Sequence, residues 1–283
     1  MTSTVRAFRN WSAGRLELNP NPYLSGNFKP EEYLRTYYPT LPEPSVFGHK
    51  KMLKDVSEEN LMLLRFYADA QVQLQPTGEG LWMLEVGGGP TIYQLICLSR
   101  LVDKICFTDF LIPNLHSVEN WIRTGHDTRW LSYIRVALQY EQGKAPTNME
   151  MLLRERELKR KMSLVRYDVL RDRFFATAPK EYDLVSSNFC IECISQSKVV
   201  WLQALRNISK RIAEGGCLVM TALRMASTYN IHGRILPATP IDETDVWKAL
   251  RDLDFSNIKI SSRDCLGKNE YNGMIYVMAQ KGS

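Results

Sequence analysis

Residues 81 to 94 constrain the fold more than any other part of the chain, and their sequence is LWMLEVGGGPTIYQ. The first six are apolar except for Glu85, a pattern typical of a parallel strand that is buried on both faces. Gly87 to Gly89 follow directly, and glycine allows a sharp turn and the close approach of a ligand. Pro90 has the fixed φ of a first helical turn, so we expect a helix from there to about Leu101.

A strand, a glycine turn and a helix start form the nucleotide crevice of doubly wound α/β domains. A dinucleotide fingerprint has a third glycine where Ile92 stands here, and a P-loop needs a Lys-Ser or Lys-Thr pair that is missing. The next apolar run ends in Asp109, twenty positions beyond Gly89, and this carboxylate could accept both ribose hydroxyls of an adenosine. A Glu-x-Gly-x-Gly turn with such an acid resembles the S-adenosylmethionine site of class I methyltransferases.

Alternating strands and helices continue along the chain. Strands are predicted at residues 81–86, 105–109, 163–167, 182–187, 217–223, 258–262 and 274–279. The last two form a terminal hairpin, and residues 225–240 are expected to be a polar loop. The pattern predicts an α/β fold, a doubly wound Rossmann-like seven-stranded sheet with one antiparallel edge strand.

We expect a single domain over residues 1–283 with two additions. Residues 1–45 are predicted to be an N-terminal arm and helical lid, with a short helix from Pro30 that Pro39 stops. Tyr33 and Tyr37 lie on one face of that helix, where their rings could cover a cationic ligand. Residues 124–162 are predicted to be a long, charged helical insertion.

The composition is that of an ordinary globular protein, with 45% hydrophobic and 24% charged residues. The net charge of +5 does not require a nucleic-acid partner, and the densest basic cluster, residues 154–161, is expected to be a solvated helix face. The sequence has no membrane span and no signal peptide, which predicts a cytoplasmic protein. Cys190 and Cys193 form a lone Cys-x-x-Cys without a second pair, so no metal site is expected.

Several longer stretches, taken together, resemble one family. They are Tyr33-Leu-Arg-Thr-Tyr-Tyr38, Gly87-Gly-Gly-Pro-Thr-Ile-Tyr-Gln-Leu95, Thr108-Asp109 with Asn114-Leu115, Phe189-Cys-Ile-Glu192 and Ala204-Leu-Arg-Asn-Ile208. In this order they are similar to the small-molecule amine methyltransferases that include the nicotinamide, phenylethanolamine and indolethylamine N-methyltransferases. The resemblance extends from about residue 23 to the C-terminus.

The resemblance implies which residues contact S-adenosylmethionine. They are Tyr33, Tyr38, Gly87, Gly89, Thr91, Tyr93, Asp109, Asn114, Asp168 and Val169. Asp109 and Asn114 would serve the ribose and adenine side, and Asp168 the exocyclic adenine amine. Thr91 and the helix start would offer donors to the methionine carboxylate.

The resemblance also assigns an acceptor side. Glu192 matches an acidic residue that holds the amine in the phenylethanolamine enzyme, and Glu270 falls near another. A carboxylate there could orient the amine or take its proton. The nicotinamide enzyme has an acidic residue where this chain has Thr221, so nicotinamide is not the expected acceptor. Tyr229 is expected to line the acceptor pocket.

Three hypotheses about function follow from the sequence. The first is an N-methyltransferase that acts on a small amine as a monomer or homodimer, with Glu192, Asn188 and Tyr229 as its catalytic residues. The second is a cyclase that closes the amine of S-adenosylmethionine onto its own Cγ, giving azetidine-2-carboxylate and methylthioadenosine; the neutral polar side chain of Asn188 would suit it. The third is a binding protein without turnover, against which the intact nucleotide positions argue.

Overall fold

The computed structural model describes residues 28–38, 57–74, 76, 78–125, 129–231, 234–265 and 271–282. The strands there are β1 (Trp82–Val86), β2 (Lys104–Asp109), β3 (Met162–Asp168), β4 (Arg173–Phe174), β5 (Tyr182–Asn188), β6 (Ile212–Arg224), β7 (Thr228–Ile231), β8 (Arg234–Pro237), β9 (Phe255–Asp264) and β10 (Gly273–Lys281). The α-helices are α1 (Pro30–Tyr37), α2 (Glu58–Gln73), α3 (Leu95–Leu98), α4 (Ile112–Thr124), α5 (Arg129–Gln142), α6 (Asn148–Lys161), α7 (Lys198–Ser209) and α8 (Glu243–Asp252).

One sheet contains eight of these strands, in the order β4-β3-β2-β1-β5-β6-β10-β9. The strands from β3 to β6 in that order are parallel, and β10 is antiparallel to both of its neighbours. The predicted doubly wound α/β sheet with a C-terminal hairpin is therefore confirmed, and the two-residue β4 adds an eighth strand.

The sequence analysis expected the antiparallel strand at the edge of the sheet, and this expectation is wrong. The antiparallel strand β10 is an interior strand. It lies between β6 and β9, and β9 forms the edge. The reason is visible in the side chains, because residues 273–279 are all buried whereas most of β9 is exposed or half-buried. A strand that is apolar on both faces is stable only with a neighbour on each side and cover above and below.

Helices cover both faces of the sheet. Met83 of β1 packs on one face with side chains of α2, α3 and α5, among them Tyr67 and Tyr133. Leu84 faces the other way and packs with side chains of α7 and α8, such as Trp201. Because successive residues of a strand point to opposite faces, this central strand is buried by two separate layers of helix.

The segment predicted as a charged helical insertion contains α5 and α6. Both contribute to the core on the α2 side. Arg154 is buried and donates two hydrogen bonds to the carboxylate of Glu141, at 2.9 and 2.7 Å, and a third to the backbone oxygen of Ile96. Lys161 donates to the backbone oxygen of Ser99 at 2.8 Å. The expectation of a fully solvated basic face is therefore wrong for these two cations, which join α6 to the core.

Pro90 does not begin a helix, because α3 starts only at Leu95. Side-chain donors form hydrogen bonds with backbone carbonyl oxygens that would accept backbone N–H groups in a first helical turn. The hydroxyl of Thr91 donates to the backbone oxygen of Gly88 at 2.8 Å, and the Gln94 amide donates to the same oxygen and to that of Thr91. Such local bonds compete with helix formation, so the residues after the glycines form a non-helical turn.

Residues 225–240 are not simply a polar loop, since they contain the hairpin of β7 and β8. Tyr229 and Leu236 are opposite each other in this hairpin, and both are buried. They pack with Phe28 and Leu111 in a small third cluster. The hairpin therefore brings apolar side chains to the end of β6, above the edge of the sheet where the strands finish.

Gly88→Ala is expected to lower the free energy of unfolding by about 2 kcal/mol, because a Cβ at this position would overlap the buried ring of Phe107. Urea titration followed by circular dichroism measures the loss. Phe107→Leu is the control: it removes the ring, so the double variant should lose less than the two single variants together. Fully additive losses would show that this contact does not determine the choice of glycine.

Candidate active site

The glycine turn lies at the point where the order of strands in the sheet reverses direction. The chain leaves β1 toward β2 on one side, and β5 borders β1 on the other. Gly87 has φ of +67°, and a Cβ there would overlap the sulfur of Cys190, which follows β5. The turn is thus packed against the end of β5, in the crevice where open α/β sheets bind ligands.

Asp109 holds the neighbouring loops in place beside the glycine turn. As the last residue of β2, it accepts hydrogen bonds from the backbone N–H groups of Gly89 at 2.9 Å and Leu111 at 2.7 Å, and from Nδ2 of Asn114 at 3.1 Å. Burial raises its pKa, and these donors oppose the shift. Oδ1 of Asn114 is buried and has no hydrogen-bond partner among the described residues. Three predicted cofactor contacts are therefore together here.

Asp168 and Val169 follow at the end of β3, the next strand along the sheet. Asp168 accepts hydrogen bonds from the backbone N–H groups of Leu170 and Arg171, at 3.1 and 3.2 Å. The backbone oxygen of Val169 accepts from Nδ2 of Asn207 at 2.8 Å. Both residues are held at the same edge of the sheet as Asp109, although each already has partners within the protein.

Aromatic rings cover the other side of the glycine turn. Tyr38, just after α1, stacks on Tyr93 with centroids 5.3 Å apart and planes 24° apart. The ring centroid of Tyr33 in α1 is 5.9 Å from that of Tyr38. It is 5.1 Å from that of Tyr37, as their helical spacing predicted. Burial raises the pKa of Tyr38 and Tyr93, so their hydroxyls stay neutral. Neutral rings suit a sulfonium, which the face of an aromatic ring attracts.

Thr91 stabilises the turn in which it lies. Its hydroxyl is buried and donates to the backbone oxygen of Gly88 within the turn. Because α3 begins at Leu95, no helix N-terminus follows directly. The expected helix start at this position is therefore absent, whereas the contact of Thr91 with the cofactor stays a prediction.

Glu192 has the features of an acceptor-binding acid. It lies in the 3-10 turn Ile191–Ile194 and is completely buried. One carboxylate oxygen accepts from the backbone N–H of Leu223 at 2.9 Å, whereas Oε2 has no hydrogen-bond partner among the described residues. Burial is the largest effect on its pKa and raises it to about 7. A carboxylate in this state can exchange a proton near neutral pH.

Tyr229 borders the same turn from β7. Its hydroxyl donates to the backbone oxygen of Cys193 at 3.4 Å, and its ring belongs to the third cluster with Phe28 and Leu111. Leu223, whose N–H binds Glu192, also packs against that cluster. An apolar wall thus lies beside the buried carboxylate. Glu270, the other acidic candidate, falls outside the described residues.

Asn188 is held in a buried network that the sequence did not reveal. Its Oδ1 accepts hydrogen bonds from the hydroxyls of Tyr67 and Thr221, the latter at 3.0 Å, and its Nδ2 donates to Glu85 at 3.2 Å. Both lone pairs of the oxygen and one amide hydrogen are thereby used. The geometry favours a positioning role for Asn188. Tyr67 could have been suspected only from its place on the apolar face of α2.

Comparison with known proteins identifies the family. The model of the NNMT/PNMT/TEMT family matches residues 18–282. The chain belongs to this family. Phenylethanolamine N-methyltransferase of Rattus norvegicus is 30% identical over 223 residues, covering 74% of this chain and 76% of the relative. Nicotinamide N-methyltransferase of Homo sapiens is 24% identical over 268 residues, covering 92% and 94%.

Solved structures agree at the level of the fold. An S-adenosylmethionine-dependent methyltransferase of Clostridium acetobutylicum has a TM-score of 0.50 at 13% identity, covering 83% of this chain and 96% of its own. The predicted resemblance to the NNMT/PNMT/TEMT family is confirmed, and with it a methyltransferase that uses S-adenosylmethionine. Among the described residues, no helix is both long enough and apolar enough to span a bilayer.

Asp109→Ala is expected to abolish binding of S-adenosylmethionine, because it removes the acceptor for both the ribose and the Gly89 N–H. Isothermal titration calorimetry measures the affinity. Asp103→Ala is the matched control: this aspartate accepts from the backbone N–H of Leu81 near the other end of β1 and should leave the affinity unchanged. Wild-type affinity in Asp109→Ala would remove this residue from the cofactor site.

Proposed function

We propose that this protein is an S-adenosylmethionine-dependent N-methyltransferase that acts on a small-molecule amine by in-line transfer. The observation that carries the proposal is the buried carboxylate of Glu192, with one oxygen unpartnered, beside the apolar cluster of Tyr229 and at the ligand-binding edge of the sheet. The relatives' names support an amine acceptor, since they are N-methyltransferases.

In the proposed complex the cofactor lies across the carboxyl ends of β1, β2 and β3. Asp109 would accept the ribose hydroxyls, and Asp168 would accept the adenine amine. The methionine portion would lie over the turn from Gly87 to Gly89, and a Cβ built on Gly89 would have no other atom within 4 Å. Tyr38 and Tyr93 would face the sulfonium, with an attraction of about 0.5–2 kcal/mol per ring.

The acceptor would enter between Glu192 and the third cluster. Its apolar body would pack on Phe28, Leu111 and Tyr229, and its nitrogen would point at the free carboxylate oxygen of Glu192. The amine lone pair forms the new N–C bond while the C–S bond breaks and leaves its electrons on sulfur. Glu192 takes the proton that the amine loses, directly or through water. Most of the rate enhancement would come from alignment and the exclusion of water.

The helix α1 would act as the lid on both halves of this site. Tyr33 contacts Phe28 at 5.6 Å between ring centroids and Tyr38 at 5.9 Å, so one residue touches both the acceptor cluster and the cofactor rings. We expect the protein to act in the cytoplasm on a free small molecule rather than on a nucleic acid, as a monomer or homodimer.

The cyclase hypothesis gains no support from the comparisons, since the family and the named relatives are methyltransferases. Asn188, which would have suited that chemistry, is engaged with Tyr67, Thr221 and Glu85. Methyl transfer to an external amine is therefore the proposal that the geometry favours.

The test is mass spectrometry of the purified protein after incubation with S-adenosylmethionine, alone and with a panel of small aryl and alkyl amines. We expect S-adenosylhomocysteine that appears only when a suitable amine is added, together with the methylated amine. Asp109→Ala serves as the inactive control. Methylthioadenosine formed without any acceptor would overturn the proposal in favour of cyclisation.

Glu192→Gln should leave cofactor affinity within about twofold of wild type and lower kcat by about 100-fold or more, the usual contribution of a general base. Because the carboxylate is the active form and burial raises its pKa to about 7, the wild-type kcat, measured at saturating S-adenosylmethionine, should rise from pH 6 to pH 8. The variant should lose that rise. The assay should use an acceptor whose own pKa lies below 5, such as an aromatic amine. The ionisation of that acceptor then does not contribute to the pH dependence between pH 6 and pH 8.

Wild-type turnover in Glu192→Gln, or a pH dependence that survives the substitution, would contradict this role. Tyr229→Phe is the matched control, since it keeps the ring in the third cluster and removes only the hydroxyl oxygen, which donates to the Cys193 backbone. It should retain the pH dependence of the wild type.

A further inference from the structure

The carboxylate of Glu85 lies directly beneath the glycine turn. Glu85 is the fourth residue of β1 and is completely buried. Its Cγ would be 3.0 Å from a Cβ built on Gly88, so the side chain runs under the turn that would carry the methionine portion of the cofactor. None of the roles proposed above uses this acid.

Three neutral groups hold the carboxylate. The hydroxyl of Ser186 donates to one oxygen, and the amides of Gln94 and Asn188 both donate to the other at 3.2 Å. These donors stabilise the ionised form without neutralising it. Among the described residues, no Lys, Arg or His donates a hydrogen bond to this carboxylate or forms an ion pair with it.

Among the described residues, the ionisable groups that interact with Glu85 include one acid and three groups that stay neutral at pH 7. Asp109 faces it from β2, Tyr67 from α2, Tyr93 from the turn and Cys190 from the end of β5. Burial raises the pKa of both tyrosines and of the thiol, so these three stay uncharged. In the described residues, the structure therefore places a buried anion under the turn with no cation paired to it.

An isolated buried carboxylate costs several kcal/mol unless a cation compensates for it. S-adenosylmethionine carries a sulfonium, whereas its product S-adenosylhomocysteine has a neutral thioether. We propose that Glu85 is the counter-charge for the sulfonium, so that the site holds the methyl donor more tightly than the demethylated product. The inference rests on the proposed cofactor site and assigns it a preference between substrate and product.

This role predicts an exchange of protons on binding. Burial is the largest effect on the pKa of Glu85 and raises it to about 7, so the free protein carries a mixture of protonated and ionised forms at neutral pH. A nearby cation favours the ionised form and lowers that pKa. Binding of S-adenosylmethionine should then release part of a proton near pH 7, and its affinity should rise between pH 6 and pH 8. The thioether should release less.

The experiment is isothermal titration calorimetry of both ligands at pH 6, 7 and 8, in two buffers that differ in ionisation enthalpy. The comparison of wild type with Glu85→Gln isolates the effect of Glu85, because the ionisation of each free ligand is the same in both titrations. At pH 8 the wild-type protein should prefer S-adenosylmethionine to S-adenosylhomocysteine. Glu85→Gln should reduce this preference by about tenfold, as expected for one charge at a distance of several ångströms, and should abolish the difference in proton release.

Asp183→Asn is the matched control, because Asp183 accepts from the backbone N–H of Trp82 at the opposite end of β1. It should keep the wild-type preference and proton release. If Glu85→Gln keeps them too, Glu85 is only structural and the inference is wrong. If neither ligand binds the wild-type protein, the proposed cofactor site itself fails. Ser186→Ala is the second variant, for the case in which Glu85→Gln does not fold. It keeps the charge of Glu85 but removes a donor that favours the ionised form, so the proton release on binding of S-adenosylmethionine should move to higher pH. An unchanged pH dependence would contradict the inference.

Discussion

The close packing between the glycine turn and the ends of the neighbouring strands is the constraint on which the rest of the site depends. Gly87 lies against Cys190 after β5, and Gly88 lies against Phe107 of β2. A Cβ at either position would overlap one of these side chains. Because the turn is tied to both neighbours of β1, the side chains at the ends of β2 and β5 have fixed places relative to it. Asp109, which accepts from the N–H of Gly89, depends on this arrangement directly.

The electrostatics of the site depend on buried acids that have no ion-pair partner among the described residues. Glu85, Asp109 and Glu192 are all buried, and burial raises the pKa of each. Hydrogen-bond donors oppose the shift in all three cases. Among the described residues, no Lys, Arg or His forms an ion pair or a hydrogen bond with any of the three. Such a site is suited to cationic ligands, since a sulfonium and an amine can provide the compensation that these residues do not. The surrounding tyrosines add aromatic faces without adding charge.

The sequence predicted the parts of this structure that depend on local patterns. The apolar run ending in Val86, the glycines after it and the acid at Asp109 follow from strand and turn chemistry, and the structure brings them together as expected. Long-range pairing was harder to foresee. The interior position of β10 depends on which strand it meets, and the buried bonds of Arg154 depend on where Glu141 lies after folding. Neither feature can be predicted from a short stretch of the sequence.

Polar networks in the core were also beyond the reach of sequence patterns. Tyr67, Asn188 and Thr221 come from three different elements, and only the fold shows that they share hydrogen bonds beside Glu85.

The direct test of the proposed cofactor site is a crystal structure with S-adenosylhomocysteine bound. We expect the ribose at Asp109, the adenine near Asp168 and the methionine chain over Gly87 to Gly89. A ligand bound elsewhere, with this crevice closed around other side chains, would contradict the site.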